Sequence, residues 1–500
     1  MPRVPLLSGT RLVLAHAPAD AVILRPPWPR PGVADPAAAV RDALRYPLDG
    51  DGIEALAQPG ARATIVVEPP ALPIPSSLTD PRRIAIAAVV DELERLGIPT
   101  GYQTFLVAGG LSRRTAQRDL ESLVTPELAR RFHGNVVVHD VEDPDLVRLD
   151  EGSRPPLRVN RALVETDLVV VVTAAETVLH GGPAALVNAA GADTVRAAGA
   201  YSLLETTASQ GWHLALTLER ALARRVPLLG VSLVLNHPDL SGAFLGYPYD
   251  EKAADRIGRS PLRYAYAAMP EKLRRTLVLQ SLRATYSAAT AIAGPPSVAH
   301  AEALLRAVEL RRTSLDEPLD AIVLGVPSAT PYLPRERPNP LLAAYLGLGL
   351  GLRMWRDAFP VVDGGAAILV GSFARHFAHP TQQPYRTFFH ATMRGGRDPQ
   401  VLAEAERSVA ADPRAIAAYR EGRAVHPLLP FRDWNSCQPA LGRLGSVLVA
   451  GAADATAVRQ LGFVPVHGVG AALEMVRGQG HARIGFVLAP PYFPLRVGAS

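Results

Sequence analysis

The sequence predicts an α/β protein made of two domains with mostly parallel sheets. Short β-branched runs alternate with longer segments rich in Ala, Leu and Arg, which is the rhythm of strand–helix–strand units. The strand candidates are continuous apolar runs, as expected where helices cover both faces of a sheet. The chain has 500 residues, more than the roughly 250–300 that one compact domain usually holds.

The first half of the chain predicts strands separated by helices. A helix is predicted at Asp80–Leu96, because Asp80 can cap it, Pro81 suits its first turn and Gly97 ends it. Its apolar residues fall on one face: Ile84, Ala88, Val89, Leu93 and Leu96. Strands are predicted at Ala63–Val67, Tyr102–Ala108, Asn135–His139, Leu157–Asn160 and Asp167–Thr173, with a further helix beginning over Thr115–Leu123.

The second half repeats the alternation. Strands are predicted at Asp320–Val326, Gly364–Gly371, Ser446–Ala450 and Arg483–Leu488. The Pro-rich stretch Pro327–Pro340 predicts a loop, and the length of Leu341–Phe359 predicts a helix in spite of its three glycines. We therefore divide the chain into an N-terminal domain (1–265), a helical connection (266–315) and a C-terminal domain (316–500).

Composition excludes several classes of protein. The net charge is +5, from 52 basic and 47 acidic residues, and because the charges are scattered they indicate a solvated surface rather than a nucleic-acid interface. The single cysteine, Cys437, excludes an intramolecular disulfide and a multi-cysteine metal site. The N-terminus lacks the layout of a signal peptide, and apolar runs of about 18 residues are missing, so we expect a cytoplasmic protein without membrane contact.

The segment Gly109–Arg114 is a candidate anion site. It lies between a predicted strand and a predicted helix, where ligands bind in open parallel sheets. Backbone N–H groups at the start of the predicted helix and the guanidinium groups of Arg113 and Arg114 could hold a phosphate or carboxylate. The alternative is a tight turn with solvated arginines.

Two further segments are candidates because they also follow strands. Gly181 and Gly182 would let backbone N–H groups approach a ligand, with His180 beside them, although a plain loop explains them equally well. His376 and His379 could share a metal or act as acid and base, since histidine is a common ligand of zinc and nickel. Surface or packing roles explain these histidines as well. Nothing in the sequence brings Cys437 and His426 together for nucleophilic catalysis.

Taken together, the motifs resemble those of the nickel-dependent lactate racemase (LarA-type) family over nearly the whole chain. The resemblance rests on the order and spacing of these segments: Asp35-Pro36 leading into Ala43–Leu48, Ile65–Pro75, Asp91–Ile98, Ala108–Leu120, Asn160–Val169 and Leu461–Val466. It implies two α/β domains with a cleft between them. It also implies racemisation or epimerisation of 2-hydroxy acids by hydride transfer to a nickel pincer nucleotide tethered to a lysine, with histidines as acid and base.

Several residues depart from the family pattern. The family's Gly-Thr-His-Arg-Pro motif falls on residues 110–114, where Ser112 replaces the histidine and Arg113 is kept. Its Asp-x-Thr-Arg-Pro-Thr-Pro turn places a leucine, Leu72, at the arginine position. The tethering lysine falls at Pro183 or Ala184, and the chain's lysines are only Lys252 and Lys272.

By this resemblance the catalytic candidates are Ser112, Arg113 and His180, and the cofactor-binding candidates are Gly110, Gly181 and Gly182. The nickel pincer nucleotide would be held non-covalently, because its lysine tether is absent. The family's C-terminal Gln and Lys would fall within Leu346–Leu352, where every residue is Leu or Gly.

Three functional hypotheses follow. The first is a racemase or epimerase with an altered site, acting on a small hydroxy acid or another small anion. The second is a non-catalytic pseudoenzyme or binding subunit, which pairs with itself or with a related chain. The third is a metal hydrolase built on His376 and His379.

Overall fold

The structure is a computed structural model. It describes residues 3–69, 80–114, 123–150, 152, 156–175, 181–199, 209–238, 242–281, 287–326, 339–377, 379–489 and 492–498. Two six-stranded sheets organise these residues, with helices packed on them. The predicted α/β class is confirmed.

The strands of the described residues are numbered in chain order. They are β1 (Arg3–Ser8), β2 (Arg11–His16), β3 (Val22–Leu24), β4 (Ala63–Val67), β5 (Gln103–Val107), β6 (Asn135–Val138), β7 (Val147–Arg148), β8 (Arg158–Val159), β9 (Leu168–Ala175), β10 (Leu228–Leu235), β11 (Ala288–Gly294), β12 (Thr313–Leu315), β13 (Leu319–Gly325), β14 (Trp355–Arg356), β15 (Val361–Val370), β16 (Ser446–Ala450), β17 (Val464–Val466), β18 (Ile484–Val487) and β19 (Leu495–Val497).

The α-helices of the described residues follow the same order. They are α1 (Pro36–Arg45), α2 (Ile53–Leu56), α3 (Pro81–Arg95), α4 (Pro126–Arg131), α5 (Pro183–Val187), α6 (Ala192–Ala198), α7 (Gln210–Ala223), α8 (Glu251–Arg259), α9 (Leu262–Ala268), α10 (Glu271–Ser281), α11 (Pro296–Arg311), α12 (Pro340–Ala344), α13 (Gln383–Thr387), α14 (Met393–Gly395), α15 (Pro399–Ala410), α16 (Pro413–Arg420), α17 (Leu429–Asn435), α18 (Gln438–Leu441), α19 (Ala455–Gln460) and α20 (Val469–Gly478). Within the described residues, none of them has both the length and the apolar character to cross a bilayer.

The N-terminal sheet has the strand order β11-β10-β9-β4-β5-β6. Its strands are parallel except for β11, which runs antiparallel to β10. Every residue of β9 is buried. Val170 and Val172 pack into the core on one face, and Val169 and Val171 pack into the core on the other. This two-sided burial explains the unbroken apolar run that predicts the strand.

The C-terminal sheet has the order β17-β16-β15-β13-β18-β3, and all its pairs are parallel. Its edge strand β3 comes from the beginning of the chain. The β1–β2 hairpin packs on the same sheet, because Leu6 shares a core with Val323 and Ile368.

The domain division at residues 265 and 315 stays a prediction. Strand pairing adds that β11, inside the predicted connection, completes the N-terminal sheet. It also adds that β3, inside the predicted N-terminal domain, belongs to the C-terminal sheet. The chain therefore passes between the two sheets more than once.

The helix predicted at Asp80–Leu96 is confirmed as α3. The Asp80 carboxylate accepts a hydrogen bond from the Arg82 backbone N–H at 3.0 Å, as an N-cap does. The buried face is broader than predicted and includes Ile86 and Val90, whereas Ile84 is only half-buried. The helix predicted over Thr115–Leu123 lies outside the described residues apart from its last position.

The helix predicted at Leu341–Phe359 is helical as far as Arg353 and is wrong from Met354 onward. The α-helix α12 gives way to a π-helix at Tyr345–Leu350, then to a 3₁₀ turn at Gly351–Arg353 and to strand β14. The glycines explain the change, because they allow a close approach to neighbouring elements. A Cβ atom on Gly347 would lie 2.8 Å from the Leu369 side chain of β15.

Candidate active site

The loop that follows β5 carries Arg113 and is shaped by a glycine. Gly110 has a φ of +51° and donates its backbone N–H to the Asn188 carbonyl at 3.0 Å. A Cβ atom at this position would lie 2.6 Å from the Asn188 side-chain oxygen, so only glycine fits. The Ser112 N–H donates to the Gly109 carbonyl at 3.1 Å, and the resulting turn leaves Ser112 and Arg113 half-buried.

The other half of the molecule holds this loop in place. We call residues 379–441, the helical chain between β15 and β16, the helical insertion. The Tyr419 hydroxyl of this insertion donates to the Gly110 carbonyl at 3.2 Å. The His426 backbone N–H donates to the Leu111 carbonyl at 3.0 Å. The insertion thereby holds the two central residues of the turn, Gly110 and Leu111.

Charged groups extend this contact. Arg420 Nε donates to the Asp140 carboxylate at 2.9 Å. His426 Nδ1 accepts from the Leu428 N–H at 3.2 Å, so Nε2 carries the hydrogen and donates to Glu142 at 2.9 Å. We call the contacts of Tyr419, Arg420 and His426 with Gly110, Leu111, Asp140 and Glu142 the latch.

A cavity of about 650 Å³ lies where the Arg113 loop meets the helical insertion. All its lining residues except Arg113 belong to the insertion. They are Arg113, His379, Pro380, Thr381, Gln383, Pro384, Thr387, Phe388, Val409, Asp412, Arg414, Ala415, Ala418, Gly422, Arg423, Ala424, Pro427 and Phe431. The cavity therefore lies in the helical insertion, and the loop after β5 contributes Arg113 to its wall. Cavities of this size commonly hold small ligands. The predicted cleft between two α/β domains stays a prediction.

The cavity brings together Arg113 and His379, two of the predicted site residues. His379 Nδ1 accepts from the Thr381 N–H at 3.3 Å, which favours the tautomer with hydrogen on Nε2. His376 is exposed and is not among the lining residues. His180 lies outside the described residues, so its role stays a prediction.

Gly181 and Gly182 face a buried polar cluster and do not line the cavity. Gly181 has a φ of +101°, and a Cβ atom there would lie 2.3 Å from the His300 ring. The Gly182 N–H donates to the Thr173 hydroxyl at 2.9 Å. His300 Nδ1 lies 3.0 Å from the Ser232 hydroxyl, and both side chains are buried. Close packing against His300 explains this glycine pair.

Glu68 is a titratable group of the same region, and it follows β4 directly. One carboxylate oxygen, Oε1, is buried without a hydrogen-bond partner. Burial raises the pKa of Glu68 to about 7, although a nearby Arg82 and the Gly181 backbone N–H oppose the shift. Sequence reasoning did not single out Glu68; the signal for it is an acidic residue immediately after a fully buried strand.

The residues present do not fit a lysine-tethered cofactor. Pro183 and Ala184, the two residues at which the tether position can fall, are both buried within α5. Lys252 on α8 and Lys272 on α10 are both exposed. In the part of the chain that the structure describes, His, Cys, Asp and Glu nowhere gather in groups of three that could hold a metal ion. The metal role of His376 and His379 stays a prediction.

Cys437 and His426 do not form a catalytic pair. The Cys437 thiol donates to the Asp433 carbonyl at 3.5 Å, and burial raises its pKa, which keeps the thiol protonated. The His426 ring instead pairs with Glu142 in the latch. Asp433 accepts a hydrogen bond from the buried Tyr385 hydroxyl, and burial raises the Asp433 pKa to about 6.

Three comparisons place this chain among known proteins. Residues 12–182 match the family model of the lactate racemase N-terminal domain. The fold is similar to that of the lactate racemase apoprotein from Thermoanaerobacterium thermosaccharolyticum, with a TM-score of 0.63 and 16% identity over 99% of this chain and 100% of that chain. A Thermotoga maritima protein aligns with a TM-score of 0.48 and 12% identity over 94% of this chain and 100% of that chain. A search of curated protein sequences found no match.

Proposed function

We propose that this chain, whose residues 12–182 match the model of the lactate racemase N-terminal domain, binds a carboxylic acid of the 2-hydroxy acid class. The binding site is the cavity between the Arg113 loop and the helical insertion. Since the residues at the tether position do not fit a lysine-bound cofactor, the proposal concerns recognition of the acid and does not depend on that cofactor.

One observation carries this proposal: Arg113 lines the same cavity as His379. Arg113 occupies the position of the arginine that the resemblance assigns to the family motif. A guanidinium can hold a carboxylate through two parallel hydrogen bonds, which gives both affinity and orientation. An imidazole on the same cavity can donate to or accept from a hydroxyl group.

Calorimetric titration with D- and L-lactate and with 2-hydroxyoctanoate tests the proposal. At least one of these acids should bind, and Arg113→Gln should weaken that binding roughly 10–100-fold, because a charge-assisted hydrogen bond contributes about 1.5–3 kcal/mol. Arg130→Gln is the matched control, since the Arg130 side chain is 75% exposed and pairs only with Glu127 among the ion pairs described.

Two outcomes would reject the proposal. One is the failure of all the acids to bind folded protein. The other is binding that the Arg113→Gln and Arg130→Gln variants weaken equally, because the site would then lie elsewhere.

A second candidate function is racemisation or epimerisation of the bound acid, the isomerase chemistry of the family. His379, which lines the same cavity as Arg113, favours it, because an imidazole can act as a general acid or base. Chiral chromatography of an enantiopure 2-hydroxy acid, incubated with protein from a host that makes the family cofactor, tests it. If the acid binds in a way that depends on His379 but its enantiomer ratio does not change, the protein is a binding subunit and not a racemase. The buried Ala184 favours that role.

A further inference from the structure

The size of the cavity bears on which acid it takes. A volume of about 650 Å³ falls within the range of roughly 300–1,000 Å³ that holds drug-sized ligands. A three-carbon hydroxy acid has six non-hydrogen atoms and fills only about 100–200 Å³, taking roughly 30 Å³ per atom as for liquid water. Most of the cavity would therefore stay empty or wet around lactate.

The buried part of the cavity wall is mostly apolar, with Thr381 as its buried polar residue. Phe388 is 1% exposed and Phe431 is 3% exposed, and their rings meet edge to face with centroids 4.6 Å apart. Pro384, Ala424 and Pro427 are also buried lining residues. We call these five apolar residues the floor. Water on such a floor has few polar partners, so an apolar group that displaces it gains affinity.

The exposed part of the wall is charged. Arg414, Arg423 and Asp412 are exposed, and Arg113 is half-buried. Among the described lining residues, guanidinium groups outnumber carboxylates. Arg423 also pairs with Glu421, and Asp412 caps α16 through its side chain. We call these four charged lining residues the rim. The rim suits an anionic end group, whereas the floor suits an apolar one.

We propose that the cavity selects carboxylic acids that carry a large apolar group, an alkyl chain or aromatic ring of about six or more carbon atoms, in preference to lactate. The carboxylate lies at the arginine rim and the apolar group lies on the Phe388–Phe431 floor. This inference rests on the proposed function, since it assigns the ligand class of the same cavity.

Affinity for a series of 2-hydroxy acids of increasing chain length tests this inference. Each methylene group that is buried should tighten binding by up to about fourfold, so 2-hydroxyoctanoate should bind at least tenfold more tightly than lactate. Ala418→Leu should remove this preference, because Ala418 lines the cavity on α16 and a larger side chain would occupy its space. Ala417→Leu is the control, since Ala417 lies on the same helix and does not line the cavity.

The outcomes separate the two proposals. Equal or tighter binding of lactate overturns the inference about the apolar group and leaves the proposed function standing. A chain-length preference that survives both Ala418→Leu and Ala415→Leu also overturns it, because the apolar group would then lie elsewhere. Failure of every acid to bind rejects the proposed function itself. Circular dichroism of each variant shows whether it is folded, and Ala415→Leu replaces Ala418→Leu if the latter does not fold.

Discussion

At the scale of residues, Glu68 is a carboxyl group whose burial disfavours its charged form. Its Oε1 atom is buried without a partner, and its pKa is raised to about 7. A carboxyl group with a raised folded-state pKa holds its proton more tightly in the folded than in the unfolded state. The contribution of Glu68 to the free energy of unfolding is therefore fully present below the unfolded-state pKa of about 4.5. It is lost as the pH rises to the folded-state pKa of about 7.

We therefore expect Glu68→Gln to raise the free energy of unfolding at pH 8 and to leave it nearly unchanged at pH 4. Because part of the side chain reaches solvent, the gain should be about 1–2 kcal/mol rather than the full value of the shift. Urea denaturation at several pH values measures it. The exposed Glu404 supplies the control, Glu404→Gln. If the free energy of unfolding of Glu68→Gln depends on pH in the same way as that of the native chain, the prediction is contradicted.

At the scale of elements, the π-helix at Tyr345–Leu350 lies where the family resemblance places a polar pair. Leu346, Leu348 and Leu350 are all 0% exposed. The segment packs on the C-terminal sheet through Gly347, which approaches Leu369. Its leucines are thus part of a core, and a polar side chain in their place would lose its hydration on burial.

Leu348→Gln, which introduces an amide of the kind that the family has in this segment, should lower the free energy of unfolding by about 2–4 kcal/mol. Leu348→Met conserves volume and apolar character, so it should lower the free energy of unfolding by less than about 1.5 kcal/mol. Thermal and urea denaturation compare the two variants. Equal stabilities would show that the segment has room for a polar group.

The accuracy of the sequence-based predictions differed between elements for physical reasons. Ser446–Ala450 was predicted to the residue, because an inner parallel strand is an apolar run on both faces. The helix predicted at Leu341–Phe359 becomes a π-helix after Ala344 and ends at Arg353, since helical length and composition do not show how glycines pack against a strand. Strand β10 escaped prediction because Gly230 and Ser232 interrupt its apolar run. Gly230 allows α11 to approach, where a Cβ would lie 2.7 Å from Pro296.

The candidate site was predictable only where a local motif marks it. Arg113 was found from its position between a predicted strand and a predicted helix. The contacts that hold its loop come from Tyr419 and His426, more than 300 residues later in the chain. Such long-range pairing leaves no local pattern in the sequence, and neither does the apolar floor beneath the arginines.

At the scale of the whole molecule, the latch joins the two halves beside the cavity. Asp140 is central to it, because its carboxylate accepts from Arg420 at 2.9 Å and lies 3.9 Å from Arg114. The side chain of Asp140 is 9% exposed, so it is only weakly screened by solvent. The positions of the Gly110–Arg113 loop and of the insertion therefore depend on each other.

Asp140→Asn should lower the free energy needed to open the latch by about 1–3 kcal/mol, because it removes a charge-assisted hydrogen bond that is largely buried. Hydrogen exchange at the backbone N–H groups of Gly110 and Ser112 should become roughly 5–100-fold faster, while β9 exchange stays nearly unchanged. Asp145→Asn is the control, since Asp145 is exposed on the same loop. Unchanged exchange at Gly110 would show that the halves hold together without Asp140.

The pairing of β3 with β18 has a consequence for biosynthesis. β3 ends at Leu24, whereas its partner begins at Ile484. A ribosome must make all of the chain between Leu24 and Ile484 before this parallel pair can form, so β3 is synthesised long before its partner. Expressing the two halves as separate fragments would place β3 in one fragment and β18 in the other. The unpaired backbone groups of each strand would then be exposed and could pair with strands of other molecules.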